Sequence, residues 1–312
     1  MSEGQGEPRI GIALGSGAAR GLTHIPYIEA MDELGLRPAV IAGCSIGALI
    51  GVGWANGMTG AQLREHAFAS LGTLQLIADR LWTTSLAAIK LAGFKGISMQ
   101  ADPVIITRAF LPDGFPDDFS ALRTPLHIVA TDIRAWEQVV FSSGPLQEAI
   151  AASIAIPSLF RPVLIGERLF IDGGVTNPLP LDLAAPDADL LVGIDVNGGP
   201  EPRFASGEPS AFDAGFIASQ IMSQTLIRNM VAAHPPDIYV RPEVNPFGIL
   251  EFWRVREIVD HVATGKDDFK RQLTTAIEAW HKKPKPTLVD KLIDRTIDVL
   301  RPPGPTAEKR SD

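Results

Sequence analysis

Apolar positions along the chain fall into two rhythms that alternate from the start. Residues 9–15, "RIGIALG", are a short apolar run ending in glycine, and from Leu22 to Leu34 apolar residues recur at helical spacing. "LRPAVIAG" (36–43) predicts a second strand, and Ile46 to Ala55 a helix that opens directly after Ser45 and stops at Asn56 and Gly57. Residues 60–100 are helical in pattern and unusually apolar. A helix and a Pro/Asp/Gly-rich connection follow over 102–125, then a strand at 126–133 and a small-residue helix from Leu146 to Ile156 that Pro157 stops. "RPVLIGERLFIDGG" (161–174) predicts a hairpin-like pair, and "ADLLVGIDV" (188–196) a buried strand. A Gly/Pro/Ser-rich loop spans 197–211. Helices at roughly 212–233 and 254–281 flank a last short strand, "DIYVRP". Strand–helix alternation of this kind predicts an α/β fold whose mainly parallel sheet is covered by helices. No shift in composition divides the chain before residue 282. We therefore expect one domain over 1–281 and an appendage over 282–312.

Composition narrows the partners. With 312 residues, 46% hydrophobic and 21% charged, the chain has the makings of a sizeable core. The net charge of −8 disfavours a nucleic-acid binder, which needs a basic footprint. The single cysteine, Cys44, excludes an intrachain disulfide. The first residues are polar and acidic, with no basic segment ahead of an apolar one, so a cytoplasmic address is the expectation. No run reaches the ~18 apolar residues of a membrane span. Residues 85–97 come nearest and are broken by Lys90 and Lys95.

Chemistry concentrates at three places. In "GCSIG", Gly43 to Gly47, Ser45 sits between a strand and a helix: either it is there by packing accident, or small neighbours tolerate a strained turn that presents it as a nucleophile. The loop "GSGAARG" (15–21) invites a dinucleotide reading, but Arg20 stands where a third glycine belongs, and no acidic residue ends the next strand. No Gly-Lys-Ser/Thr follows, so a phosphate-cradling P-loop is excluded. Either the loop is an ordinary tight turn, or its amides, Gly17 and Ala18 foremost, face a developing negative charge. A proton acceptor for Ser45 is harder to find. Of His24, His66, His127, His234, His261 and His281, none stands in a strand-end loop with turn chemistry around it. Asp172 does: it ends "RLFIDGG" ahead of Gly173 and Gly174. Asp132 and Asp195 also end strands and compete with it as turn-forming residues. For an aspartate to serve as base, burial must raise its basicity above the usual pKa of ~3.9.

"GSGAARG", "GCSIG" and "IDGG", in this order, resemble the patatin-like phospholipase family, especially its compact bacterial members. "GLTHIPYIEAMDELGL", "ASIAIPSLFRPV" (152–163) and "DGGVTNPLP" extend the likeness, which spans roughly 9–196 and thins toward 280. The resemblance implies a three-layer α/β/α fold and a serine hydrolase of lipid acyl esters that needs no metal or organic cofactor. It makes Ser45 the nucleophile and Asp172 its base, a dyad without histidine. Amides of Gly17 and Ala18, with help from Ser16, would form the oxyanion hole; Gly15, Arg20, Gly21, Gly43, Gly47, Gly173 and Gly174 complete the motifs. Many relatives carry three or four consecutive glycines where this chain has Gly15-Ser16-Gly17-Ala18. For Arg20, a phosphate headgroup contact competes with a local ion pair, and the ion pair is favoured.

Two segments bear on access and partners. The apolar stretch from Leu74 to Met99 reads as a buried helix pair in preference to a mobile cap or membrane-facing surface. The tail helix, Leu288 to Leu300, gathers its apolar side chains on one face behind Lys282, Lys283 and Lys285. Its aspartates (Asp290, Asp294, Asp298) oppose an anionic membrane, so docking on the domain or on a second copy is expected over peripheral membrane contact. Two rival functions stand: a Ser-His-Asp esterase of the α/β-hydrolase kind, which Ser45 after only two strands disfavours, and a non-enzymatic nucleotide-binding module.

Overall fold

A computed structural model describes residues 6–71, 102–112, 114–199 and 211–282. The expectations for residues 74–99 and for the tail helix lie outside these residues.

The strands are β1 (Ile10–Leu14), β2 (Val40–Cys44), β3 (Leu126–Asp132), β4 (Glu137–Phe141), β5 (Val163–Ile165), β6 (Arg168–Asp172), β7 (Leu190–Ile194) and β8 (Ile238–Val240). The helices are α1 (His24–Glu33), α2 (Ile46–Ala55), α3 (60–71), α4 (Pro103–Phe110), α5 (Leu146–Ser153), α6 (Leu181–Ala184), α7 (Ala211–Ala233), α8 (Val255–Val262) and α9 (Lys266–Lys282). One sheet runs in the order β5-β6-β3-β2-β1-β7-β8, with β4 also on β3. Strands β3, β2, β1, β7 and β8 are mutually parallel; β4 and β6 pair antiparallel with β3, and β5 pairs antiparallel with β6.

Alternation along the strands divides the core into two layers. Ile10, Ile12 and Leu14 of β1, Ile41 of β2 and Val192 and Ile194 of β7 face a large cluster that includes Leu22, Ile25, Trp54, Ile258 and Phe269. Ala13, Ala42 and Leu191 face the other way, toward Leu179, Leu181, Ala184 and Ile227 of α7. The strands at the centre are buried on both faces, as a parallel sheet between helix layers requires. The small Ala13 and Ala42 on the second face let the short α6 lie close to β1 and β2.

The register of β3 decides where the strand ends meet. β4 pairs with Ile128–Asp132 along one edge, which leaves the other edge to two strands arriving from opposite directions. β2 occupies Leu126–Val129 and ends with Cys44 opposite Val129. β6 occupies Ala130–Asp132 and ends with Asp172 opposite Ala130. The C-terminal ends of β2 and β6 therefore abut head-on.

Several elements depart from the sequence reading. β4 is not anticipated by the alternation: its half-exposed "EQVVF" forms on the rim of the sheet by pairing with β3 and by packing Val139 and Phe141 against the cluster around Phe170. Residues 18–23 form a 3-10 turn before α1 begins at His24, with Thr23 Oγ1 donating to the Arg20 carbonyl at 2.7 Å. α5 ends at Ser153, ahead of Pro157. The last long helix is broken at Ala263–Gly265, which lets α9 set Phe269 edge-on against Tyr27 of α1 at 5.3 Å. Among the described residues no helix is long and apolar enough to cross a membrane.

Candidate active site

Ser45 occupies the turn between β2 and α2 with φ 54° and ψ −121°. This left-handed region is strained for a residue with a β-carbon and persists only where surroundings hold it. The flanking glycines are required by close approach. A β-carbon at Gly43 would come within 2.7 Å of the Ala48 backbone, and one at Gly47 would fall on the Leu14 carbonyl. The pentapeptide thus lets α2 pack directly on β1 and β2 while Ser45 stands at the sheet end.

At that end, the Ser45 hydroxyl donates to Asp172 Oδ2 at 2.6 Å, across 127 residues of chain. The other carboxylate oxygen, Oδ1, accepts from the Gly174 amide at 2.7 Å. Burial pushes the Asp172 carboxyl up to about 6, against the smaller downward pull of these two hydrogen bonds. The main chain of Asp172 is pinned as well: its amide donates to the Ala155 carbonyl at 2.9 Å, and its carbonyl accepts from Thr131 Oγ1 at 3.0 Å. The Ser45 amide is spent on Ser153 Oγ at 2.8 Å.

The glycine-rich loop lies beside the pair. The Gly15 amide donates to the Ile194 carbonyl at 3.0 Å and the Ser16 amide to the Pro178 carbonyl at 2.8 Å. Ser16 is therefore corrected as an anion donor: its N–H already serves to tie the loop to the chain beyond Asn177. The Ala19 amide donates to the Ile249 carbonyl at 2.9 Å. Between these, the amides of Gly17 and Ala18 have no partner among the described residues and border the same cleft as Ser45. Ala18 holds φ 49°, strained for alanine, whereas Gly17 is extended at 172° and is required because a β-carbon would press on the Val196 carbonyl at 2.5 Å. Gly21 and Gly173 likewise sit against Ile46 and the Val129 carbonyl.

Arg20 does not face the cleft. It is fully buried and donates from Nε to the Phe247 carbonyl at 2.8 Å and from Nη1 to the Asn197 carbonyl at 3.0 Å, so it braces the neighbouring loops from behind. His24 is also buried under the loop. Its Nε2 bonds the Gly15 carbonyl at 2.9 Å, which fixes that nitrogen as the donor, and desolvation lowers its pKa to about 4, so the ring is neutral. Among the described residues no histidine lines the cleft. Burial pushes the Cys44 thiol up, first by desolvation and then by the Asp172 charge, which leaves it protonated beside Ser45.

The rival acids are occupied elsewhere. Asp132 accepts from Arg168 Nε at 2.6 Å and from the Arg134 and Ala135 amides. Asp195 accepts from the Asn197 amide at 3.0 Å and the Tyr239 hydroxyl at 2.7 Å.

The cleft itself is small, about 80 Å³. Ile156, Pro157, Val175, Phe216 and Ile249 give it apolar walls, and Asn197 with Ser219, Gln220 and Ser223 of α7 gives a polar one. The sequence reading missed this use of α7, since nothing in its helical pattern marks one face as lining a site. It also missed Ser153, a small residue inside a predicted helix.

Comparison with known proteins shows the family. An uncharacterised NTE family protein of Mycobacterium tuberculosis is 34% identical over 231 residues, which cover 74% of this chain and 60% of that protein. Human patatin-like phospholipase domain-containing protein 6 is 26% identical over 280 residues, covering 80% of this chain and 19% of that protein. The chain thus spans about 60% of the length of the mycobacterial relatives it matches at 34% identity and 44% of those it matches at 25%. Among solved structures, VipD from Legionella pneumophila aligns with 85% of this chain and 68% of its own at 15% identity and a TM-score of 0.42. The family described as patatin-like phospholipase matches residues 12–185, more than half of the chain and all three motifs through Gly174. By that match, this chain belongs to the patatin-like phospholipase family.

Proposed function

We propose that the chain is a serine acyl hydrolase that cleaves lipid carboxyl esters, with Ser45 as nucleophile, Asp172 as base and the amides of Gly17 and Ala18 as the oxyanion hole. The observation that carries this reading is the 2.6 Å hydrogen bond from the Ser45 hydroxyl to a buried Asp172 carboxylate, beside two amides that have no partner among the described residues. Membership of a phospholipase family supports the substrate class.

Asp172 accepts the Ser45 proton as Oγ attacks the ester carbonyl, and the tetrahedral oxyanion is held by the two amides. The carboxylic acid so formed protonates the departing alcohol. Water then attacks the acyl-serine, giving its proton to Asp172, and the fatty acid leaves as Ser45 Oγ recovers its proton. The raised basicity of Asp172 suits it to this exchange near neutral pH, where an ordinary carboxylate would be a poor acceptor. The apolar wall of Ile156, Phe216 and Ile249 matches an acyl chain.

The test is hydrolysis of p-nitrophenyl acyl esters and phospholipids by the wild type, Ser45→Ala and Asp172→Asn, with fluorophosphonate labelling alongside. Activity and labelling that vanish with either substitution support the reading. Turnover that survives both, or that depends on a histidine, would overturn it.

A further inference from the structure

Ser45 and Asp172 come from distant strands, yet one short turn grips the main chain of both. α5 ends at Ser153, and the three residues Ser153-Ile154-Ala155 reach in two directions. The Ser153 hydroxyl accepts from the Ser45 amide at 2.8 Å, across 108 residues. Two positions later, the Ala155 carbonyl accepts from the Asp172 amide at 2.9 Å. Ser153 is fully buried, so water does not substitute for it.

This contact falls where the backbone most needs holding. At φ 54° and ψ −121°, Ser45 sits outside the regions that its β-carbon favours, and its amide would relax if released. We infer that Ser153 is a positioning residue: by taking the Ser45 amide it locks the strained turn and keeps Oγ aligned on Asp172. The same contact commits the Ser45 N–H, whereas the amides of Gly17 and Ala18 beside the cleft have no partner among the described residues. The inference rests on the function proposed above, and it assigns to Ser153 no contact with substrate.

The experiment compares wild type, Ser153→Ala and Ser153→Thr for kcat, KM, the pH dependence of kcat/KM and the rate of fluorophosphonate labelling, with thermal unfolding as the control. Ser153→Ala should fold, since alanine is the better helix former at the end of α5. Its kcat should fall about 10–100-fold, the scale of a ~1 Å misplacement, with KM changed less than about twofold. Labelling should slow in parallel. The acid limb of the pH profile should move upward, because a looser Ser45 hydrogen bond pulls the Asp172 carboxyl down less. Ser153→Thr, which keeps the hydroxyl, should recover most of the rate. A folded Ser153→Ala with unchanged kcat, an effect confined to KM, or an unmoved acid limb overturns the inference. If Ser153→Ala does not fold, Ser153→Cys takes its place: sulfur fills nearly the same volume but accepts weakly, and an undiminished kcat overturns the inference equally. A wild type that is neither active nor labelled would bring down the proposed function and this inference with it. A labelled wild type matched by Ser153→Ala would bring down the inference alone.

Discussion

Asp132 and Asp172 end neighbouring strands of one sheet, β3 and β6, and both are almost excluded from solvent, at 2% and 6% exposure. Their electrostatics diverge. Around Asp132, Arg168 and two backbone amides outweigh the upward push of burial and hold the carboxyl below the usual range. Around Asp172, one hydroxyl and one amide are the partners, with no cation bonded to it among the described residues, and burial wins. A strand end does not make a base. The balance between desolvation and charged donors sets the basicity, and that balance separates the Asp132 carboxylate from that of the proposed base.

The sharpest way to break this comparison is to neutralise each acid. Asp172→Asn and Ser45→Ala should each lower kcat/KM for an acyl ester by about 10³-fold or more, whereas Asp132→Asn should stay within a few-fold of wild type. Comparable losses at 132 and 172 would erase the distinction.

The pH profile comes next in size. With Asp172 as the proposed base, active as carboxylate, kcat/KM should drop about tenfold per pH unit below a midpoint near 6 and level off above it. Asp132→Asn should leave that midpoint in place. A midpoint near 4 would mean that burial does not raise Asp172.

Stability should move in opposite directions at the two sites. The folded chain binds the Asp172 proton more tightly than the unfolded chain, so this residue's contribution to stability falls as pH rises from about 4 to 6 and stays lowered above that. Asp172→Asn should therefore stabilise at pH 8, by at most about 3 kcal/mol for a carboxyl raised from 3.8 to about 6. Asparagine can still accept from the Gly174 amide while its NH₂ faces Ser45 Oγ. Asp132→Asn should destabilise by about 1 kcal/mol, since it keeps the turn but loses the Arg168 charge. Denaturant titrations at pH 5 and pH 8 read both. The smallest effect is expected from Arg168→Gln: Arg168 is 45% exposed on its side chain, so screening limits the loss to under about 1 kcal/mol.

Much of the site was legible because its signals are local. "GCSIG" between an apolar run and a helix fixes a turn through steric demands that act within five residues. "IDGG" likewise marks an acid at a strand end. Arg20 was less legible: as a charged residue in a glycine loop it reads as a ligand or ion-pair partner, and only the fold reveals carbonyls of Phe247 and Asn197, more than 170 residues away, waiting for it. Ser16 failed for a similar reason, since nothing near it in sequence announces the Pro178 carbonyl. Ser153 and the polar face of α7 carry no local mark, because serine and glutamine in a helix are ordinary whichever way they point. β4 was missed because a strand at a sheet rim, half in water, needs no regular alternation.

By itself the sequence determined the alternating strands and helices, the glycines that permit close packing, and the two residues worth watching, since these follow from short-range sterics and periodic burial. Tertiary structure alone decided that they meet. With β4 covering one edge of β3, β2 and β6 must share the other, and two strands growing toward each other there bring Cys44-Ser45 and Asp172 to adjoining positions, dry enough to raise the carboxyl and braced by a turn from α5.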